Sequence, residues 1–168
     1  KEGKGFVKEY DSKGKLKFEG EFSNGSRNGK GKEYDFNGAL KFEGEYLNGK
    51  IYGKGKEYFS KTGQLLFEGV YLYDHKYKGK AYLNGRLEFE GEYLYEKKWN
   101  GKGYDEQGNI IYELIKGSGK VKEYWWNGVL RFEGEYINGK ENGKGKEFWW
   151  NGGLKFEGEY LNGKINGK

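Results

Sequence analysis

Between residues 40 and 46 apolar and charged positions alternate: Leu40, Phe42, Gly44 and Tyr46 are separated by Lys41, Glu43 and Glu45. A period of two marks a strand with one apolar face. The pattern recurs along the chain. Leu16, Leu40, Leu65, Leu87, Ile110, Leu130 and Leu154 open equivalent segments, and two residues on stand Phe18, Phe42, Phe67, Phe89, Tyr112, Phe132 and Phe156. The next alternate position is Gly20, Gly44, Gly69, Gly91, Leu114, Gly134 and Gly158, followed by Phe22, Tyr46, Tyr71, Tyr93, Lys116, Tyr136 and Tyr160. A further ladder, Tyr10, Tyr34, Tyr58, Tyr82, Tyr104, Tyr124 and Phe148, precedes each segment. Self-similarity at a fixed period signals a repeat architecture, in which one small unit buries its face only against the next.

One unit runs from Gly29 to Tyr52, and Lys54–Phe59 supplies a second strand. Asn-Gly pairs punctuate the strand ends, the strongest short-range hairpin signal. Tyr34 and Leu40 are six apart, Tyr82 and Leu87 five, Tyr58 and Leu65 seven. If Tyr and Leu pair across each hairpin, the loops hold three, two and four residues, all common lengths. This reading puts the Tyr, Leu, Phe and Gly ladders on one face, with rings lying over bare glycine backbone in place of a second layer. The expected fold is all-β: a single-layer antiparallel β-meander of about seven hairpin repeats, an open twisted solenoid-like sheet. Some fourteen strands at ~4.8 Å give it a long axis of roughly 60 Å. Residues 1–168 read as one repeat domain, a piece of a longer chain. The fifth unit, 101–118, is degenerate, with Leu114 for Gly and Lys116 for an aromatic. A shortened hairpin, a kink or poor pairing is expected between Gly101 and Gly119.

Composition narrows the function. Glycine numbers 32 of 168 residues, yet 16 Tyr, 11 Phe and 5 Trp argue against disorder. Without cysteine there is no disulfide and no thiolate metal site. No apolar run approaches the ~18 residues of a membrane span. The net charge of +5 mildly favours acidic partners, but 31 basic and 26 acidic residues are interleaved, unlike a nucleic-acid arm. The one histidine, His75, falls in an irregular stretch, Tyr73–Lys78, and reads as a solvated surface residue. Glu19, Glu21, Glu43, Glu45, Glu157 and Glu159 recur with the sheet period and suit a charged outer face, not one acid/base pair. Gly117-Ser118-Gly119-Lys120 lacks the spacing and the hydroxyl of a phosphate loop. No catalytic residue, metal or cofactor is expected.

The segments FEGEYLNGKIYGKGK (42–56) and FEGEYINGKENGKGK (132–146) resemble the MORN repeat, an aromatic-x-Gly-x-aromatic strand followed by an Asn-Gly-Lys turn and Gly-x-Gly. The added K-E-Y-x-x-N-G-x-L segment resembles the longer variant common in bacteria. The usual His-Gly after the turn is replaced by Tyr52-Gly53 or Asn142-Gly143, and the fifth unit departs most. The resemblance implies a non-enzymatic scaffold for protein complexes, often cytoskeletal, ciliary or at membrane junctions, with self-association and, in some members, acidic-lipid binding. A cytoplasmic location, cytoskeletal or membrane-associated, goes with it.

Two groups of residues are candidate sites. Lys50, Lys54, Lys140, Lys144, Lys164 and Lys168 fall at equivalent connections and would line one long edge at about 9–10 Å intervals. Such a row either meets anionic lipid phosphates or keeps a flat sheet soluble. Trp125-Trp126 and Trp149-Trp150 are 24 residues apart. Strand alternation would point Trp125 and Trp149 outward, where with Ile137 and Leu161 they form either a partner-binding patch or a partly covered outer face. Three functions compete: a scaffold binding a protein or itself through the sheet ends or this patch, a peripheral membrane module, and a carbohydrate- or choline-binding surface repeat.

Overall fold

The computed structural model describes residues 3–167. It consists of antiparallel hairpins, with no helix among the described residues. The chain forms two compact units, the first ending at Gly79 and the second beginning at Lys80. In the first unit β1 (Lys4–Tyr10), β2 (Leu16–Ser23), β3 (Ser26–Tyr34), β4 (Leu40–Leu47), β5 (Lys50–Phe59) and β6 (Gln64–Leu72) pair in sequence order. β7 (His75–Leu83) runs across the boundary, so His75 opens a strand and not the loop its sequence suggested. The second unit holds β8 (Arg86–Leu94), β9 (Lys97–Tyr104) and β10 (Ile110–Leu114). A five-stranded meander follows in the same unit: β11 (Gly119–Tyr124), β12 (Leu130–Ile137), β13 (Lys140–Phe148), β14 (Leu154–Leu161) and β15 (Lys164–Asn166).

The core is the expected stack of rings on glycine. Phe18, Phe42, Phe67, Phe89 and Phe132 are buried almost completely, as are Tyr46, Tyr71, Tyr93 and Tyr160. A Cβ on Gly55 would lie 2.6 Å from the Phe42 ring and 3.1 Å from Tyr71, and one on Gly31 would meet Phe18 at 2.5 Å and Tyr46 at 3.1 Å. The glycines are therefore the seats of the rings. Phe18 meets Tyr46 edge to face at 5.3 Å, Phe42 meets Tyr71 at 5.4 Å and Phe132 meets Tyr160 at 5.5 Å, so each hairpin grips the next.

Among the described residues no second layer of secondary structure covers these rings. Ion pairs lie over several of them instead. The Arg27 guanidinium sits 3.9 Å above the Phe18 ring, held by Glu9 at 2.5 Å and Glu33 at 2.7 Å. Lys76, bonded to Glu57 at 2.6 Å, lies 4.8 Å from the Phe67 centroid. Lys98, bonded to Glu88 at 2.5 Å, lies 5.1 Å from that of Phe89. A cation over a ring adds attraction while its alkyl stem excludes water.

Two features of the ladder stand out, and the first differs from expectation. The first concerns the tyrosines. Glu33 pairs with Phe42 but Tyr34 pairs with Leu40, so a bulge separates them. It turns the Tyr34 ladder away from the Phe–Gly face. Tyr34 donates a hydrogen bond to Glu19 at 2.7 Å and Tyr58 one to Glu43 at 2.6 Å. Both carboxylates belong to the opposite face, where lysine–glutamate rows such as Lys8–Glu19 and Lys122–Glu133 run across the strands. The Tyr and Phe ladders thus back onto each other. The second feature is continuity: the single meander is interrupted between β10 and β11, inside the stretch from Gly101 to Gly119 where poor pairing is expected, and a lone Ile115–Ser118 bridge remains there.

The two turn edges are built differently. At the Asn-Gly edge successive turns within each unit are bonded to one another. In the first unit the Gly49 N–H donates to the Arg27 carbonyl and the Asp74 N–H to that of Ile51, both at 2.9 Å. In the second, Gly117 donates to Trp99, Gly139 to Gly117 and Gly163 to Glu141 at 2.6–2.8 Å. Beside this edge a wide bulge sets Tyr52-Gly53-Lys54 against Glu45. Gly53 has a φ of +106°, a region that favours glycine, and the Glu45 carboxylate accepts the Lys54 N–H at 2.7 Å. The second Glu of the repeated Glu-Gly-Glu thus caps the bulge in this hairpin.

Candidate functional site

The opposite edge carries most of the longer turns; three of its turns are closed by aspartate, two others have Phe59 or Leu83 at that position, and the last two have tryptophan. In Asp11, Asp35 and Asp105 a carboxylate oxygen accepts two backbone N–H groups of its own turn: Lys13 and Lys15 at 2.8 and 2.9 Å, Asn37 and Ala39 at 2.8 and 2.9 Å, Gln107 and Asn109 at 3.0 and 2.8 Å. These bonds hold the Asp11 carboxyl below its ordinary value, and the Asn109 side-chain amide leads in doing so for Asp105. Aspartate closes a turn in this way.

Trp125 and Trp149 occupy the same position in the last two such turns. The backbone is unchanged: Trp125 N–H donates to Val129 and Trp149 N–H to Gly153, both at 2.8 Å. The carboxylate bonds are gone, and the longer bonds from Val129 N–H to Asn127 and Gly153 N–H to Asn151, 3.2 and 3.1 Å, stand in for them. The tryptophans are in the turns and not on the strands, so strand alternation does not decide where they point. Trp125 is half-buried, its indole N–H donating to the Phe148 carbonyl at 3.0 Å, and Asn127 bonds the Trp150 carbonyl at 2.8 Å. Trp126, Trp149 and Trp150 remain 64%, 49% and 58% exposed. Cations already sit by two rings: Arg131 is 5.9 Å from the Trp125 centroid and bonded to Glu123, and Lys155 is 4.9 Å from that of Trp149 and bonded to Glu147 at 2.8 Å.

The structure regroups the expected site residues. Trp125, Trp126, Trp149 and Trp150 come together. Ile137 and Leu161 end β12 and β14 at the Asn-Gly edge, roughly seven residues of strand away or ~23 Å, so they belong to another surface. Val129 and the exposed Leu154 join the tryptophans in their place. A Cβ at Gly152 would touch Val129 at 3.8 Å, which places the two turns side by side. Both belong to turns already marked by Trp, a signal that the strand-face argument passed over.

The lysines separate as well, and Lys168 lies outside the described residues. Lys50, Lys140 and Lys164 open β5, β13 and β15 at the Asn-Gly edge, and Lys50 pairs with Asp74 at 3.4 Å. Lys54 and Lys144 stand within their strands, past the bulge. A trough of about 780 Å³ lies over β11–β14, lined by Lys122, Glu133, Lys146 and Glu157 among others, with Lys122–Glu133 at 3.7 Å and Lys146–Glu157 at 3.1 Å. Exposed pairs of this kind are worth ~0–1 kcal/mol each and suit a solvated face.

The family model of the MORN repeat matches residues 18–39, 42–64, 132–154 and 156–168. No curated protein matches the chain. The matched segments begin at Phe18, Phe42, Phe132 and Phe156, the ring of each hairpin, and include its glycine and its Asn-Gly turn; the first three include the bulge as well. With two of these segments in the first unit and two in the second, the chain is a MORN-repeat protein.

Proposed function

We propose that the chain is a non-enzymatic interaction module that holds a protein partner, or a second copy of itself, at the tryptophan edge of its second unit. The exchange of turn-closing aspartate for exposed tryptophan carries this reading. The exchange replaces two carboxylate hydrogen bonds in each turn by one longer amide bond, and although Trp125 gains a bond to the Phe148 carbonyl, Trp126, Trp149 and Trp150 are left about half or more exposed. Broken local rules of this kind concentrate where a protein binds something. MORN repeats support an interaction module in general. The lysine-edge reading, a peripheral module on anionic lipid, has less behind it, since the lysines are split between two places and Lys50 is paired.

The test is a chain with Trp126→Ser, Trp149→Asp and Trp150→Ser. Trp149→Asp restores the turn-closing carboxylate, so stability should hold or rise by a few tenths of a kcal/mol. Self-association by sedimentation velocity and capture of a partner should both be lost in the folded variant. Unchanged association would move the interface elsewhere.

A further inference from the structure

We infer that the tryptophan edge takes a proline-rich segment in the polyproline II conformation, with every third residue seated on successive turns. The inference rests on the site proposed above and names the chemistry of its partner.

Spacing is the first argument. Trp126 and Trp150 hold the same position in consecutive turns, one hairpin apart. A hairpin is two strands, so the step along the edge is ~9.4–9.8 Å. Polyproline II has three residues per turn and rises ~3.1 Å per residue, so positions i and i+3 lie ~9.3 Å apart on one side. An α-helix advances ~5.4 Å per turn and a strand repeats its face every ~6.6–6.8 Å, so neither keeps this step.

Charge is the second. The turns from 125 to 130 and from 149 to 154 contain no charged residue, in a chain of which 34% is charged. The corresponding turns elsewhere contain Asp11, Lys13 and Lys15, Asp35, Lys61, Arg86, or Asp105 and Glu106. A neutral edge in a charged protein fits a neutral ligand. Arg131 and Lys155 beside Trp125 and Trp149 disfavour a further cation, such as a quaternary ammonium, on those rings. Proline supplies a flat, uncharged, apolar ring with little entropy to lose, and aromatic-lined surfaces read Pro-x-x-Pro segments in this way. Asn127 and Asn151 place amides beside the rings, and a polyproline II strand keeps its carbonyls free to accept.

The experiment is fluorescence anisotropy of a labelled synthetic peptide with prolines at every third position. A Gly/Ser peptide of equal length, a peptide with prolines at every second position and a cello-oligosaccharide serve as competitors. Saturable binding is expected, displaced by the unlabelled Pro-x-x-Pro peptide and by neither of the other two peptides nor the sugar. Trp126→Ala and Trp150→Ala should each weaken binding by about tenfold, with circular dichroism confirming the fold. Absence of saturable binding, affinity in either variant equal to that of the unaltered chain, or displacement by the sugar or by either control peptide overturns the inference. If that happens while the triple variant above still loses self-association, the site stands and its ligand chemistry is wrong. If the triple variant also associates normally, the site itself is wrong.

Discussion

The hairpins around β4 and β5 and the one formed by β9 and β10 descend from the same pattern and solve the same problem differently. In the first, Phe42 lies over Gly44 and Gly55, and Tyr71 closes the other side of Gly55. In the second, the ring at the Phe42 position is Tyr112, which is drawn back over Gly103 and stacks on Phe89 at 6.4 Å with only 21° between planes. The Tyr112 ring thus lies back on β9 and not forward over β11 in the way that Phe42 lies over Gly55. The position that is Gly55 in β5 is Val121 in β11, and the position of Gly44 is Leu114 in β10. Both side chains are buried, at 3% and 1% exposure. Val7 occupies the same position in β1, the first strand described. The comparison yields a rule: glycine stands where a ring from the previous hairpin must sit, and an aliphatic side chain stands where none arrives. The Asn-Gly edge ignores the difference, because Gly117 still bonds Trp99 and Gly139 still bonds Gly117 across the interruption.

The largest effects should come from exchanging these residues. Gly55→Ala drives a Cβ into the Phe42 ring, which is buried and cannot yield, and should cost ~1–3 kcal/mol. Val121→Gly removes a buried side chain that no ring replaces and should cost ~1.5–3 kcal/mol. Urea melts of the two variants check both. Because the exchanges run in opposite directions, a preference for alanine at 55 or for glycine at 121 would break the rule.

Most of this fold is legible in the sequence, because period two, Asn-Gly turns and the Phe-x-Gly-x-Tyr run each state one physical requirement. The side of the Tyr34 ladder was not read correctly. Pairing Tyr34 with Leu40 is right, yet Tyr34 is an odd number of residues from Gly31, and only the bulge reconciles the two. The cations over the rings were missed because Arg27, Lys76 and Lys98 look like ordinary turn-flanking charges until the register places them over Phe18, Phe67 and Phe89. The tryptophans were noticed, but on strands, because a five-residue excursion between paired positions shows no boundary in a run of aromatics.

A smaller effect follows from that tyrosine side. Burial first, and the bonds to Glu19 and Glu43 next, push Tyr34 and Tyr58 up to about 12. Tyr46, Tyr112 and Tyr136 are raised further, mainly by burial. The folded chain keeps protons that the unfolded chain releases from about pH 10, so this stabilisation is complete below pH 10 and is lost as pH rises towards 12. Tyrosinate absorbance should therefore lag in the folded protein and appear together with loss of β-structure. Full ionisation near pH 10 with the fold intact would contradict the placement of both ladders.

Amide hydrogen exchange across the second unit tests the central claim most directly. Strand amides from Ile110 to Leu114 and from Gly119 to Tyr124 should exchange fastest among the internal strands of this unit and those of β12 and β13 slowly, while the Gly117 amide stays protected by the Trp99 carbonyl. Uniform protection from β9 to β13 would mean that the ring ladder does not set where this protein holds together.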